Sequence, residues 1–306
     1  MKKIIVTGAT SMMGIALIKE CIAQKTTVFA VIRPNSKNAK RIPQSEFVKE
    51  VECDSGDAQH LAQLIKERGF DAFYHFAWDG TSRADRNDVW IHEKNIGDTL
   101  KAVEAASRLG CAAFIGAGSQ AEYGRVNKVI SPDTSANPEY AYGIAKLAAA
   151  RLSEQLCSQL KLRFVWGRIF SVYGEYDHED TLIMYMIQQL LAGKSPQLTE
   201  CIQMWDYLYC GDAARAFYLM GKRGTGIYCV GGGKMQKLSK YVKIVQEVVN
   251  PNIQIGFGQK ETAQNQVMEL CADLSKLTND TGFVPQIDFK SGIKRTVEWM
   301  KKETKK

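Results

Sequence analysis

Short apolar runs rich in β-branched and aromatic residues fall at 3–6, 27–32, 47–52, 71–76, 112–116 and 162–168, and the stretches between them repeat their apolar residues at helical period. The runs are continuous rather than alternating. That pattern belongs to strands covered on both faces, so the chain is read as α/β, a doubly wound parallel sheet with helices on each side. Beyond residue 175 the order is less regular, with helices predicted at 181–191, 212–221, 237–249 and 291–302, which describes a smaller C-terminal α/β lobe. A Gly224-Thr225-Gly226 turn before the apolar run 227–230 predicts a strand that returns to the main sheet.

A length of 306 residues at 45% hydrophobic and 24% charged content suits an ordinary globular chain with a large core. No apolar stretch approaches the ~18 residues of a membrane helix. The apolar start at Ile4 to Val6 stops at Thr7-Gly8, too soon for a secretion signal, so a cytoplasmic location is expected. Eight scattered cysteines and four separated histidines lack metal-ligand or dithiol spacing, and no metal is expected. The net charge of +7 is concentrated in a basic tail from Lys294 to Lys306 and a cluster from Arg33 to Arg41. The tail is a solvated helix face. The cluster follows the second predicted strand, which points to a small anionic ligand rather than a nucleic acid polymer.

Directly after the first strand the chain reads Thr7-Gly8-Ala9-Thr10-Ser11-Met12-Met13-Gly14 and enters a helical pattern. Gly8 would permit a tight turn, the small Ser11 would let the amides of Thr10 to Met13 approach a pyrophosphate, and Gly14 would allow helix and strand to pack closely. A plain strand-to-helix turn also favours glycine. About 20 residues on, dinucleotide-binding folds of the Rossmann type place a carboxylate on the ribose of NAD; here stand Arg33, Ser36, Lys37 and Arg41. Arg33 can stack on adenine or fork onto a ribose phosphate with Ser36 adding a donor, so NADP(H) is expected ahead of NAD(H). Asp54, at the end of the third strand, is placed to reach the adenine amino group. Residues 1–174, also receiving 205–230, are expected to bind the dinucleotide, and 175–306 mostly the substrate.

A second constellation follows. Ser119 follows the fifth strand, and Tyr142 and Lys146 stand four apart on a helix, which puts phenol and ammonium on one face. An ammonium beside a phenol, or an oxidised nicotinamide, favours phenolate and would bring proton transfer at a carbonyl or hydroxyl oxygen within reach of neutral pH, with Ser119 polarising the same oxygen. Taken alone, the Tyr–Lys spacing is also an ordinary surface pair.

Taken together, these pieces resemble the extended short-chain dehydrogenase/reductase family, in particular its nucleotide-sugar epimerases, dehydratases and ketoreductases. The matching segments are TGATSMMG at 7–14, CDSGD at 53–57, HFAW at 75–78, Asn95, GSQAEYG at 118–124, YGIAK at 142–146, RIFSVYG at 168–174 and MWDYLYCGDAARA at 204–216. The resemblance implies catalytic Ser119, Tyr142 and Lys146, and cofactor contacts from the glycine loop, Asp54, Ala77 and Lys146. It also implies a homodimer built on the helices at 86–109 and 142–160, whose apolar residues could equally be ordinary core. Asn95 and Arg168 match positions near the active site, although Arg168 is as readily a structural ion pair. Trp78, Asp79, Gln120, Trp205 and Arg215 are candidate substrate residues.

Departures from the family pattern narrow the reaction. Ser11 replaces a usual glycine. Gln120-Ala121 stand where the 4,6-dehydratases carry an Asp-Glu pair, which removes the acid and base of water elimination. Trp205 stands where many relatives carry an arginine that helps hold the nucleotide diphosphate, a role Arg215 or Lys194 could take. The leading expectation is an NADP(H)-dependent reductase of the C4 ketone of a nucleoside-diphosphate 6-deoxy sugar. The alternatives are an NAD-dependent 4-epimerase or 4-dehydrogenase and, from another class, a non-catalytic dinucleotide-sensing regulator.

Overall fold

The computed structural model describes residues 1–82, 84–262 and 266–303. Lys305 and Lys306 of the basic tail lie outside them. Seven strands form one parallel sheet: β1 (Lys3–Thr7), β2 (Thr27–Ile32), β3 (Val48–Glu52), β4 (Ala72–His75), β5 (Ala113–Ser119), β6 (Arg163–Ile169) and β7 (Gly226–Val230). Their order across the sheet is β7-β6-β5-β4-β1-β2-β3, and every pairing is parallel. β7 returns beside β6, as the glycine turn before it predicts.

The continuous apolar character of the central strands has a direct structural cause. On β1, Ile4 and Val6 enter one core cluster and Ile5 the other, all three fully buried. The period of two therefore persists, but both faces are covered. Helix α1 (Met12–Ala23) and the helix Cys210–Arg223 cover the first face. Helices α2 (Val89–Arg108) and α3 (Ala141–Gln159) pack together over the second. β3 lies at the sheet edge and carries Lys49, Glu50 and Glu52, a charge pattern that discourages further strand pairing.

Three more helices, Leu182–Leu191, Leu238–Val249 and Phe289–Glu303, extend the first core cluster beyond the sheet. Short ribbons tie this region down: 171–173 pairs with 207–209, 204–205 with 236–237, and 129–130 with 271–272. The carboxylate of buried Asp206 accepts backbone N–H groups from Gly232, Gly233 and Ala272 at 2.6–3.0 Å, joining three segments through one side chain. All eight cysteines are buried and free. Among the described residues no helix is long and apolar enough to cross a membrane. Strand order reverses between β1 and β4, so a crevice opens beyond their carboxyl ends, where open α/β sheets bind ligands.

Candidate active site

The turn out of β1 is built for close approach. Gly8 has φ +65°, and a Cβ there would meet Ala77 N and the Phe76 carbonyl carbon at 2.6 Å; one at Gly14 would stand 2.4 Å from Gly8 O. Ser11 caps α1, its hydroxyl accepting from Gly14 N at 3.1 Å, and the first turn of that helix holds no acidic residue. The positive helix end and its amides therefore face a cleft of about 210 Å³ lined by Gly8, Thr10, Ser11, Arg33, Arg41, Asp54, Ala77, Trp78 and Asp79. Tight backbone packing at the glycines, a helix N-terminus with no acidic residue in its first turn and flanking guanidinium groups fit a dinucleotide phosphate.

Most of the expected cofactor residues meet here. Met13 is buried in the core beneath the loop and Met12 packs against it, so these two offer backbone rather than side chains. Ser36 is not on the cleft wall; its hydroxyl accepts from Asn38 N within its own turn. Arg33 reaches across the cleft to Asp79, with Nη1 3.3 Å from Oδ1, and Arg41 donates to Thr10 O at 3.4 Å. Asp54 accepts from Gly56 N at 3.0 Å and caps the short helical segment that follows.

Behind Trp78 lies the Ser-Tyr-Lys group. The α3 helix carries Tyr142 and Lys146 on the face toward β5. Lys146 Nζ donates to Ala117 O at 2.7 Å and sits 3.6 Å from the Trp78 ring centroid, with the Tyr142 ring at 5.9 Å. Burial drives the Lys146 ammonium down to about 7, with the Glu122 charge opposing the shift. Burial also raises the Tyr142 phenol, and a hydrogen bond with Ser119 pulls it back. Desolvation dominates at this phenol, and the ammonium faces Trp78.

Ser119 is set by a carboxylate the sequence left unplaced. Glu122 Oε1 accepts from Ser119 N at 2.9 Å while Ser119 Oγ accepts from Ala121 N, a reciprocal cap on one helical turn. The same carboxylate accepts Trp166 Nε1 at 3.0 Å and Arg168 Nε at 2.6 Å, in full burial. Glu122 is therefore fully engaged, and of the two roles open to Arg168 the structure shows the ion pair. Gly118 makes room for this: a Cβ there would strike Trp166 Nε1 at 2.2 Å and Glu122 Oε1 at 2.4 Å.

Two histidines were missed in sequence. His75 bridges Thr7 and Thr99; since Thr99 donates to Asn95 O, His75 Nε2 carries the proton and Nδ1 accepts from Thr7. Burial lowers its pKa to about 3, so it is neutral. His92 packs edge-on to Tyr142 at 5.5 Å; its Nε2 donates to Asp85 O, which leaves Nδ1 a buried acceptor without a hydrogen-bond partner. The signal was there: His92, Asn95 and Thr99 are polar positions at helical spacing on the packed face of α2.

The family model for the NAD dependent epimerase/dehydratase family matches residues 4–231, from β1 through β7. The chain belongs to this family. It is 25% identical over 310 residues to a putative UDP-glucose 4-epimerase of Methanocaldococcus jannaschii, covering 97% of this chain and 98% of that one. To a dTDP-glucose 4,6-dehydratase of Escherichia coli it is 24% identical, covering 97% and 93%. The solved Thermus thermophilus UDP-glucose 4-epimerase complex with NAD superposes with a TM-score of 0.85 at 20% identity, over 98% and 99% of the two chains, a likeness of fold.

Against that family pattern the candidate substrate residues divide. Asn95 clamps the Asp79 backbone in both directions, at 3.0 and 2.9 Å, and so fixes the loop carrying Trp78. Gln120 begins the helical turn after Ser119. Trp205 donates its indole N–H to Ser171 Oγ at 2.8 Å. Arg215 is not brought to the cleft: it pairs with Asp212 at 2.9 Å and donates to Val284 O, while Asp212 accepts from Gln286 N and Ile287 N. It fastens the segment before the last helix. The reason is local, since Asp212 and Arg215 are one helical turn apart.

Proposed function

We propose that this enzyme is an NAD-dependent 4-epimerase of a nucleoside-diphosphate hexose, working by reversible oxidation at C4. The observation that carries the reading is the chemistry gathered beside the cleft. Ser119, Tyr142 and Lys146 suit proton transfer at a sugar oxygen, while the nearest carboxylate, Glu122, is committed to Arg168, Trp166 and Ser119. With Gln120-Ala121 preceding it, water elimination has no acid and base.

A bound nicotinamide dinucleotide would supply the hydride acceptor and donor at C4. Tyr142 takes the hydroxyl proton as that carbon is oxidised and returns it to the oxygen when the other face is reduced. Ser119 Oγ steadies the oxygen in both directions. Lys146 would hold the nicotinamide ribose through an N–H not directed at Ala117. The amides of α1, with Thr10 and Ser11, would hold the pyrophosphate. Residues 1–174, with 205–230, form the dinucleotide part in this reading, and 175–306 contribute most of the sugar site.

One observation favours a second reading, an NADP(H)-dependent reductase of a C4 keto sugar: the end of β2 offers Arg33, and nearby Arg41, where NAD folds place a carboxylate. Asp79 offsets it by pairing with Arg33. Denaturing the purified protein and identifying released nucleotide, then titrating emptied protein with NADH and NADPH, separates the two. Retained NAD(H) supports the epimerase; an empty protein that prefers NADPH, and loses that preference in Arg33→Ala, supports the reductase. A homodimer is part of the proposal, because Trp90 at 78% exposure and Ile144 at 53% present apolar surface on α2 and α3.

A further inference from the structure

Lys146 brings a charge into a place nearly without water, so its partners decide whether it stays charged. Ala117 O accepts one N–H at 2.7 Å, and the Trp78 ring centroid lies 3.6 Å from Nζ, well inside the ~6 Å over which an aromatic face attracts an ammonium. The other groups facing it are weaker or occupied. Glu122, on the turn after β5, attracts it but is bound to Arg168 of β6. His75 on β4 and His92 on α2 both feel the ammonium, and burial holds both imidazoles toward the neutral form. Tyr142, on the same helix, presents its ring at 5.9 Å.

The indole shows the same arrangement from its own side. Buried tryptophan N–H groups ordinarily find an acceptor, yet Trp78 Nε1 is buried with no hydrogen-bond partner. Its ring is wedged between Lys146, the edge of Tyr142 at 6.1 Å and His92 at 6.3 Å. Asn95 fixes the next residue's backbone and so the direction from which the indole enters. The orientation gives up the N–H hydrogen bond and keeps the ring face on the ammonium.

We propose that Trp78 is a positioning residue for Lys146, its indole face holding the ammonium charged and aimed at the reacting oxygen and cofactor ribose. The effect on turnover rests on the proposed oxidoreduction at C4; the pairing itself does not. Burial already brings Lys146 to about 7. Removing the ring face lowers it further, so any step that needs the ammonium loses its alkaline side at a lower pH.

Two measurements test this. The difference in intrinsic fluorescence between the wild type and Trp78→Phe isolates Trp78 among five tryptophans. Its pH titration should show a transition centred near 7 that vanishes in Lys146→Met. No transition between pH 5 and 9, or one that survives in Lys146→Met, overturns the pairing. The pH profile of kcat/KM is the second readout. The alkaline limb should move down by about one unit, a tenfold change in the titration constant, in Trp78→Leu and by less in Trp78→Phe, which retains an aromatic face. Uniformly reduced activity with an unmoved limb in both variants would make Trp78 packing only. Failure of the redox reading is seen separately, as full turnover in Tyr142→Phe, and leaves the fluorescence titration standing.

Discussion

Replacing Glu122 with glutamine removes one negative charge from a position sealed from solvent while keeping the shape of the side chain. The amide oxygen can still accept from Ser119 N and Trp166 Nε1, now 2.9 and 3.0 Å from Oε1. What is lost is the carboxylate oxygen 2.6 Å from Arg168 Nε, in a pair whose side chains are 0% and 2% exposed. The guanidinium is then buried beside an amide N–H₂, with the Tyr123 ring face at 4.4 Å as its remaining close partner. Breaking one side of such a pair destabilises by about 3–5 kcal/mol. In a chain of this size that lowers Tm by roughly 5–10 °C, at about 2 °C per kcal/mol. Urea unfolding followed by circular dichroism would show it as a lower midpoint at unchanged slope. Glu122→Gln/Arg168→Met, which removes both charges, should recover at least about 1 kcal/mol of the loss. A single variant within about 0.5 kcal/mol of wild type, or a double variant worse than the single, would refute the idea that this pair anchors the Ser119 turn.

Three further outcomes are expected. Tyr142→Phe should reduce turnover by about 10²–10⁴-fold and leave dinucleotide affinity nearly unchanged, because it deletes a proton carrier and no phosphate contact; steady-state rates and calorimetric titration check the two halves. His75, held at about 3 against an ordinary 6.5, gives stability that is fully present above pH 6.5 and is lost as pH falls toward 3, since only the unfolded chain takes up the proton in that window. The loss is up to about 5 kcal/mol over the window, and the slope of unfolding free energy between pH 7 and 4 should flatten in His75→Asn. Trp90→Glu combined with Ile144→Glu should halve the mass seen by light scattering at unchanged circular dichroism, and a wild type already monomeric would dispose of the dimer.

What could be read from the chain was what local spacing determines. The sheet strands appear within three residues of their expected ends because continuous apolar runs record burial on both faces. The glycine loop and the Tyr142–Lys146 pair are legible because strand, turn and helix follow one another directly. The two- and three-residue ribbons at 129–130, 171–173 and 207–209 are too short to carry any period. The remainder of the site depends on residues distant in sequence. Glu122 meets Arg168 across 46 positions, and Trp78, in the loop after β4, covers Lys146 on α3. The expectation for Arg215 failed because its own helical neighbour, Asp212, claims it. Asp79 supplies a carboxylate to Arg33 from another strand's loop, a pairing that reading the end of β2 alone could not reveal.

The central claim is reversible oxidation at C4 by a resident nicotinamide dinucleotide and the Ser119-Tyr142-Lys146 group. Incubating the protein with UDP-glucose, and separately with its N-acetylglucosamine counterpart, in D₂O and following the sugar protons by NMR tests it most directly. The account predicts that at least one sugar converts to its C4 epimer with hydrogen, not deuterium, at that carbon, since the hydride never leaves the site. Conversion accompanied by deuterium at the inverted carbon, or no conversion of either sugar by protein loaded with NAD, would contradict it.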